Sequence, residues 1–85
     1  MNPFRVEWDS AAEDELARIW LQATDPQTVT VAQAQADKVL ARDPLTRGRH
    51  LSEGLFRLDV PPLAVTYTVD TASHLVEITW VWHTV

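Results

Sequence analysis

Cysteine is absent from this 85-residue sequence, so neither a disulfide framework nor a thiolate zinc site can stabilise the chain. Stability must come from buried apolar surface, either within the chain or against a partner. No segment approaches the ~20 consecutive apolar residues of a membrane-spanning helix, and Met1 to Arg5 lacks the features of a secretory signal. We therefore expect a single domain over residues 1–85 that is cytoplasmic and makes no membrane contact.

Positive charge is also scarce. The formal net charge of −5 argues against attraction of nucleic acid by the whole surface, because phosphate binding depends on lysine and arginine. Residues 1–41 carry seven acids and three bases, and residues 58–85 carry three acids and no base. Residues 42–57 differ, because four arginines against Asp43 and Glu53 give a net charge of +2. We expect an anionic ligand to approach that segment.

The first half of the chain has helical periodicity after a short strand. Alternation of apolar and polar residues predicts a strand over residues 4–8. Ser10-Ala11-Ala12-Glu13 and Thr30-Val31-Ala32-Gln33 match capping boxes, so we expect a helix to begin at each. Asp25-Pro26 and Asp43-Pro44 are expected to end these helices, which form a hairpin. The apolar residues at helical spacing are Ala12, Leu16, Ile19, Trp20 and Ala23, then Ala32, Ala36, Val39 and Leu40.

From Leu51 onward the apolar residues recur with period two, which predicts three consecutive strands. Pro61-Pro62 separates the first strand from the second, and a turn through Ser73 and His74 precedes the third. The alternating apolar residues are Phe56, Leu58 and Val60, then Leu63, Val65, Tyr67 and Val69, then Val76, Ile78, Trp80 and Trp82. Short connections favour an antiparallel meander. The expected fold is therefore α+β, in the order β-α-α-β-β-β, with the helical hairpin packed on a mainly antiparallel sheet.

Short motifs are spaced along nearly the whole chain. They are Val6-Glu7-Trp8, Ile19-Trp20-Leu21, Ala36-Asp37 through Leu40, Asp43-Pro44, Gly48, Leu51-Ser52-Glu53-Gly54, Leu55-Phe56-Arg57-Leu58, Val65-Thr66-Tyr67, Val69-Asp70 and Val81-Trp82-His83. Their order and spacing resemble the RelE/ParE superfamily of type II toxin–antitoxin toxins, which includes plasmid-stabilisation-like proteins. The resemblance implies the same α+β fold and a cognate antitoxin as partner.

The resemblance also implies which residues a ribonuclease would need. Ribonucleolytic members use basic residues and a late tyrosine to bind messenger RNA in the ribosomal A site, where cationic groups stabilise charge on the phosphate. Ala64 and Thr84 occupy two positions where these members commonly carry arginine, and no tyrosine follows His83. Arg57 matches the arginine of the family's second strand. We therefore expect the RelE-type catalytic set to be incomplete.

The candidate site residues each have an ordinary structural explanation beside the functional one. Arg47, Arg49 and Arg57 are the candidate target- or anion-binding residues, although arginines beside a loop are commonly just solvated. Arg57, His83 and His50 are the candidate catalytic groups, and an ordinary polar contact is the alternative for both histidines. The three histidines of the chain have no recognisable metal-ligand spacing. We expect neither a metal nor a cofactor.

The four tryptophans could suggest base stacking, but core packing is the better prediction for most of them. Trp20 belongs to the apolar face of the first helix, and Trp80 belongs to an alternating strand. Trp82, near the end of the sequence, is a candidate anchor at a protein interface.

Three functional hypotheses follow from these residues and from the resemblance. The first is a toxin-like component that is paired with an antitoxin and binds a protein target, such as the DNA gyrase that the ParE branch poisons. The second is a ribosome-dependent messenger RNA endoribonuclease of the RelE kind. The third is a non-toxic relative that retains only the binding fold. The scarcity of positive charge, together with Ala64 and Thr84, favours the first or the third.

Overall fold

The computed structural model describes residues 3–84 and contains three helices and five strands within that range. The elements are β1 (Arg5–Trp8), α1 (Ser10–Gln22), α2 (Pro26–Arg42), α3 (Pro44–Arg47), β2 (Arg49–Ser52), β3 (Leu55–Val60), β4 (Leu63–Asp70) and β5 (Leu75–His83). One sheet contains all five strands in the order β1-β5-β4-β3-β2. The pairing of β1 with β5 is parallel and the other three pairings are antiparallel. The predicted α+β fold, a helical hairpin on a mainly antiparallel sheet, is confirmed.

Two elements are absent from the predicted order. Helix α3 and strand β2 are each four residues long, and both lie in the segment between the hairpin and the predicted meander. Pro44 is the first residue of α3, a position that suits its fixed φ and its missing N–H. Elements this short carry too few residues to show a periodicity, so the pattern of the sequence did not indicate them.

The predicted start of the first helix at Ser10 is confirmed, but neither capping box forms, and the predicted start of the second helix at Thr30 is wrong. Helix α1 begins at Ser10 itself, with Asp9 at the N-cap position. Helix α2 begins at Pro26, one turn before Thr30, and the Asp25 carboxylate accepts a hydrogen bond from the Gln27 backbone nitrogen at 3.1 Å. Aspartate at the N-cap followed by proline is a strong start signal, so Asp25-Pro26 opens the second helix and does not merely close the first.

The helical hairpin covers one face of the sheet, and the core lies between them. Helix α1 packs on β5, and α2 packs on α1, β3 and β1. The apolar stripe predicted for the second helix is confirmed, because Ala32, Ala36 and Leu40 are buried. From the sheet, the buried apolar side chains on this face are Leu58, Leu63, Val65, Tyr67, Val76, Ile78 and Val81.

Helix α3 is tied to the sheet through Tyr67. The buried hydroxyl of Tyr67 donates a hydrogen bond to the Pro44 carbonyl oxygen at 2.6 Å, and burial raises the pKa of Tyr67 to about 12. Gly48 lies directly against the same ring, so a side chain at that position would collide with it. Nowhere in residues 3–84 is a helix both long and apolar enough to cross a membrane.

Candidate interaction site on the open face of the sheet

The face of the sheet that points away from the helices is called the open face here. Residues directly opposite each other on neighbouring strands share a face. Val65 opposite Val81 and Tyr67 opposite Ile78 lie on the buried face, so the residues between them in β4 lie on the other side. In the three C-terminal strands the open face carries Arg57, Asp59, Ala64, Thr66, Trp80 and Trp82.

A β-bulge at Thr79 places both late tryptophans on this face. Tyr67 is opposite Ile78 but Thr66 is opposite Trp80, so Thr79 is an extra residue in β5. One extra residue exchanges the faces of everything that follows it in the strand. Consequently Val81 takes the core position, with no exposed surface, and the prediction that Trp80 packs in the core is wrong.

Hydrogen bonds between two threonines hold the bulge. The Thr79 hydroxyl donates to the backbone carbonyl oxygen of Thr66 at 3.3 Å. The two hydroxyl oxygens are 3.0 Å apart, so the Thr66 hydroxyl can donate to Thr79 in turn. Thr66 is only 6% exposed, and this arrangement satisfies its polar side chain.

The two indoles cover the middle of the open face. Ala64 is fully buried, although the helices of residues 3–84 pack on the other face of the sheet. Its direct neighbours are Trp82 on β5 and Asp59 on β3, and the next position, Thr66, is opposite Trp80. The large side chains of β5 thus exclude water from the small ones of β4. Trp82 itself stays 40% exposed, as an interface anchor would require.

Arg57 lies beside this aromatic cover. Its guanidinium carbon is 5.5 Å from the ring centroid of Trp82, and its Nε is 2.9 Å from a carboxylate oxygen of Asp59. The first contact is a cation–π interaction, and the second fixes the direction of the side chain while offsetting its charge. Arg49 is opposite Arg57 in the β2–β3 pairing and so shares the open face. Arg47 is the last residue of α3 and is not part of the sheet.

The structure does not bring the candidate catalytic groups together. His50 is opposite Phe56, with the two ring centroids 5.2 Å apart, and His83 is opposite Leu63. Both histidines therefore lie on the side of the sheet that faces the helices, whereas Arg57 lies on the open face. Within residues 3–84, no three His, Asp or Glu side chains are grouped closely enough to hold a metal ion.

A second concave surface lies between α1 and α2, a groove of about 540 Å³. Trp20 lines it and is 45% exposed, with its indole nitrogen donating to the Thr30 hydroxyl at 3.1 Å. The prediction that Trp20 packs in the core is therefore wrong. The neighbouring Ile19 takes the direction toward the sheet and is buried, which leaves Trp20 at the rim of the groove.

At the base of the same groove, Trp8 makes a contact that no sequence pattern indicated. Its indole nitrogen donates to the Asp37 carboxylate at 2.9 Å and joins β1 to α2. Burial raises the pKa of Asp37 above its usual value, and the hydrogen bond from Trp8 offsets part of that effect. No local pattern in the sequence could have indicated this contact, because the two residues lie 29 positions apart and meet only in the folded chain.

Comparison with known proteins identifies the fold. No protein-family model matches the chain, and no curated protein matches it in sequence. Among solved structures, the chain is similar to the toxin–antitoxin complex RelBE2 from Mycobacterium tuberculosis, with a TM-score of 0.81 and 24% identity over 98% of this chain and 93% of that one. It is also similar to the archaeal RelE–RelB complex from Pyrococcus horikoshii OT3, with a TM-score of 0.71 and 14% identity over 96% of both chains. The RelE-like fold that the sequence motifs implied is confirmed.

Proposed function

We propose that this chain is the toxin-like component of a type II toxin–antitoxin system and that it acts by binding a protein through the open face. The observation that carries the proposal is the pair of tryptophans that the bulge at Thr79 places over Ala64 and Thr66. Tryptophan and arginine are enriched among the residues that dominate protein interfaces, and here Arg57 lies over Trp82. The open face has the composition of a protein-binding site.

A cognate antitoxin is the proposed partner. One of the similar structures is a toxin–antitoxin complex and the other is a RelE–RelB complex, and the shared fold spans nearly all of each chain. The groove between α1 and α2 supports the same idea, because Trp20 and Leu21 at its rim are 45% and 76% exposed. Contiguous apolar surface of this kind is typical of a site of association.

The chemistry of the open face disfavours RNA cleavage. A phosphate-cleaving site needs several cationic donors around the phosphoryl oxygens together with groups that transfer protons. Arg57 is already paired with Asp59, and the fully buried Ala64 lies opposite Trp82 where ribonucleolytic relatives commonly carry arginine. His50 and His83 lie on the other side of the sheet. Within residues 3–84 neither histidine stands beside Arg57, and the carboxylate that does, Asp59, already accepts a hydrogen bond from its guanidinium.

The test is induction of the chain in a bacterial host, alone and together with the product of the neighbouring gene. We expect growth arrest by the chain alone and rescue by coexpression, with the two products purifying as one complex. Trp82→Ala should abolish the arrest because it removes the exposed anchor of the open face. Trp20→Ala is the matched control, since Trp20 is equally exposed but lies in the groove. If Trp82→Ala arrests growth as well as the unmodified chain does, the open face is not the target site.

A second candidate function has one specific observation in its favour. Arg49 and Arg57 share the open face with two indoles, and the combination of cations with aromatic rings also binds single-stranded nucleic acid. Primer extension on messenger RNA after induction separates this ribonuclease from the protein-binding toxin. Losing one cationic donor in a site of this kind lowers the rate by about a hundredfold. New cuts at codons in the A site that disappear with Arg57→Ala would replace the proposal.

The remaining outcomes also discriminate. Arrest without new RNA ends directs attention to protein targets, and gyrase supercoiling in the presence of the purified chain is the first assay. The absence of both arrest and cuts would identify the chain as a non-toxic relative that keeps the fold.

A further inference from the structure

A cationic cleft lies at the junction of α2 and α3, away from the open face. It has a volume of about 260 Å³ and is lined by Lys38, Val39, Arg42, Asp43 and Arg47. Lys38 and Arg42 are four residues apart on α2 and therefore lie on the same side of the helix, while Arg47 ends α3. We call this surface the α2–α3 cleft.

Among the described residues, the positive charges of the cleft form no ion pair. Within residues 3–84 the ion pairs involve Arg5, Arg18 and Arg57, so none of the three cations in the cleft belongs to one. Asp43 supplies the single negative charge, and its side chain makes no capping hydrogen bond to α3. The cleft thus has a formal charge of +2 in a chain whose net charge is −5.

Part of this charge has an ordinary structural role. Cations in the last turn of a helix interact favourably with its dipole, and Arg42 and Arg47 occupy such positions in α2 and α3. That role does not account for Lys38, which lies a full turn before the end of α2, nor for the gathering of all three cations around one concavity. Guanidinium and ammonium groups directed at a shared space are suited to bind an oxyanion.

We propose that the α2–α3 cleft binds a carboxylate-rich, apolar-containing peptide segment of a partner protein, which deepens the proposed function by assigning a docking site to one of its protein partners. The group that the ligand presents to the cations of the cleft is a carboxylate. The apolar component of the ligand is inferred from two exposed leucines that lie close in sequence to the residues of the cleft.

Exposed leucines close in sequence to the residues of the cleft favour a peptide over a nucleic acid. Leu45 in α3 is 49% exposed, and Leu51 in the adjoining strand β2 is 44% exposed. Apolar anchors of this kind contribute to binding a peptide but contribute nothing to binding a phosphate backbone. A protein that binds nucleic acid also neutralises several phosphates, and the acidic remainder of this chain offers no such track.

Strand β2 offers the same ligand a backbone to pair with. It is the last strand of the sheet, and all four of its residues are exposed. The opposite edge is less open, because α2 packs on β1 and Trp8 is bonded to Asp37. An extended peptide that continues from the cleft along β2 would form main-chain hydrogen bonds, as in other cases of strand addition.

Binding of a fluorescein-labelled eight-residue peptide of alternating glutamate and leucine to the purified chain, measured by fluorescence anisotropy, tests the proposal. The Lys38→Gln/Arg47→Gln double variant should weaken binding about tenfold, because two charge interactions with the peptide carboxylates are lost. Arg18→Gln is the matched control, since Arg18 is paired with Glu15 on α1, and it should leave binding unchanged. Added salt should weaken binding by the unmodified chain.

Asp43→Asn tests the charge of the cleft independently if the double variant fails to fold. This change raises the formal charge of the cleft from +2 to +3, and it removes no capping bond. It should tighten binding of the glutamate–leucine peptide by about threefold, the value of one exposed charge interaction. Unfolding cannot produce that result. No tightening in a folded Asp43→Asn variant would overturn the proposal.

Two further probes exclude the other anions. A glutamine–leucine peptide of the same length should bind at least about tenfold more weakly, because it lacks the carboxylates. An octamer of polyuridylate should compete poorly, and competition stronger than that of the glutamate–leucine peptide would overturn the proposal in favour of nucleic acid. Equal displacement by inorganic phosphate would reduce the site to a simple anion pocket and would likewise overturn it.

These results can be separated from the fate of the proposed function. Growth arrest with no peptide binding would reject the α2–α3 cleft alone. Peptide binding that responds to Asp43→Asn, without arrest in any host, would keep the cleft and reject the toxin.

Discussion

Gly48→Ala should destabilise the chain because the side chain of Tyr67 occupies the space next to Gly48. A methyl group added to Gly48 would overlap the Tyr67 hydroxyl and would lie 2.7 Å from the ring carbon that bears it. The backbone of Gly48 is extended, with φ of −89°, so only the close approach requires glycine there. The ring must move, and its hydrogen bond to the Pro44 carbonyl oxygen must lengthen or break.

The magnitude follows from two costs. Leaving a buried hydrogen-bonding group unsatisfied costs ~1–3 kcal/mol, and overpacking a core position costs another ~1–3 kcal/mol. We expect Gly48→Ala to lower the free energy of unfolding by about 3 kcal/mol. Urea denaturation followed by tryptophan fluorescence measures this difference.

A double-mutant cycle isolates the cause. Tyr67→Phe removes the colliding oxygen but keeps the ring, so the cost of Gly48→Ala in that background should fall by about 1 kcal/mol or more. Gly54→Ala is the control, because Gly54 has φ of +76° and open space around it. Its cost should be ~1–2 kcal/mol from backbone strain and should not depend on Tyr67. A cost of Gly48→Ala below about 0.5 kcal/mol, or the same cost in both backgrounds, would refute the reasoning.

Three further predictions concern separate contacts. The pKa of Asp37 is raised above its usual value of 3.8, so the folded state holds this proton more tightly than the unfolded state does. The stability that this protonation contributes is therefore lost as the pH rises from 3.8 through the raised pKa. Asp37→Asn keeps an acceptor for Trp8 but cannot titrate. The difference in unfolding free energy between this variant and the unmodified chain should therefore grow across that pH range and be constant above it. Arg57→Ala should weaken target binding or toxicity more than Arg18→Ala does. Thermal melts should show that both variants are folded, and equal effects of the two changes would reject the role of Arg57. Thr79→Ala should lower the free energy of unfolding in urea denaturation by ~1–2 kcal/mol because it removes the hydrogen bonds to Thr66, and no loss would reject their role. Deletion of Thr79 should keep Val81 in the core, because Ile78 and Trp80 would then follow each other opposite Tyr67 and Thr66.

The parts of the fold that the sequence predicted are those with a long, regular pattern. The stripe from Ala32 to Leu40 identified α2, and alternation identified β3 and β4, because burial on one face repeats with the period of the element. Boundaries were less well predicted. The signal at Thr30 competed with Asp25-Pro26 for the start of α2, and the structure uses the aspartate.

The bulge in β5 could not be predicted from the pattern. Apolar residues occupy positions 76, 78, 80, 81 and 82, so the end of the strand is compatible with either face. Which register forms depends on the hydrogen bonds between Thr66 and Thr79, two residues that lie 13 positions apart. Of the candidate site, the sequence therefore supplied Arg57 and an exposed Trp82, and it misassigned Trp80.

The bulge also links the fold to the choice between protein binding and phosphate chemistry. Because Thr79 is an extra residue, Trp82 lies opposite Ala64 and covers it completely. An arginine side chain at position 64 would need the space above β4 that the indole of Trp82 occupies. A phosphate-binding arginine at position 64 and this aromatic cover are therefore alternatives at the same place on the sheet. With Trp82 over Ala64, this part of the open face is apolar and has Arg57 at its edge. An RNA-cleaving site would need positive charge at the same place.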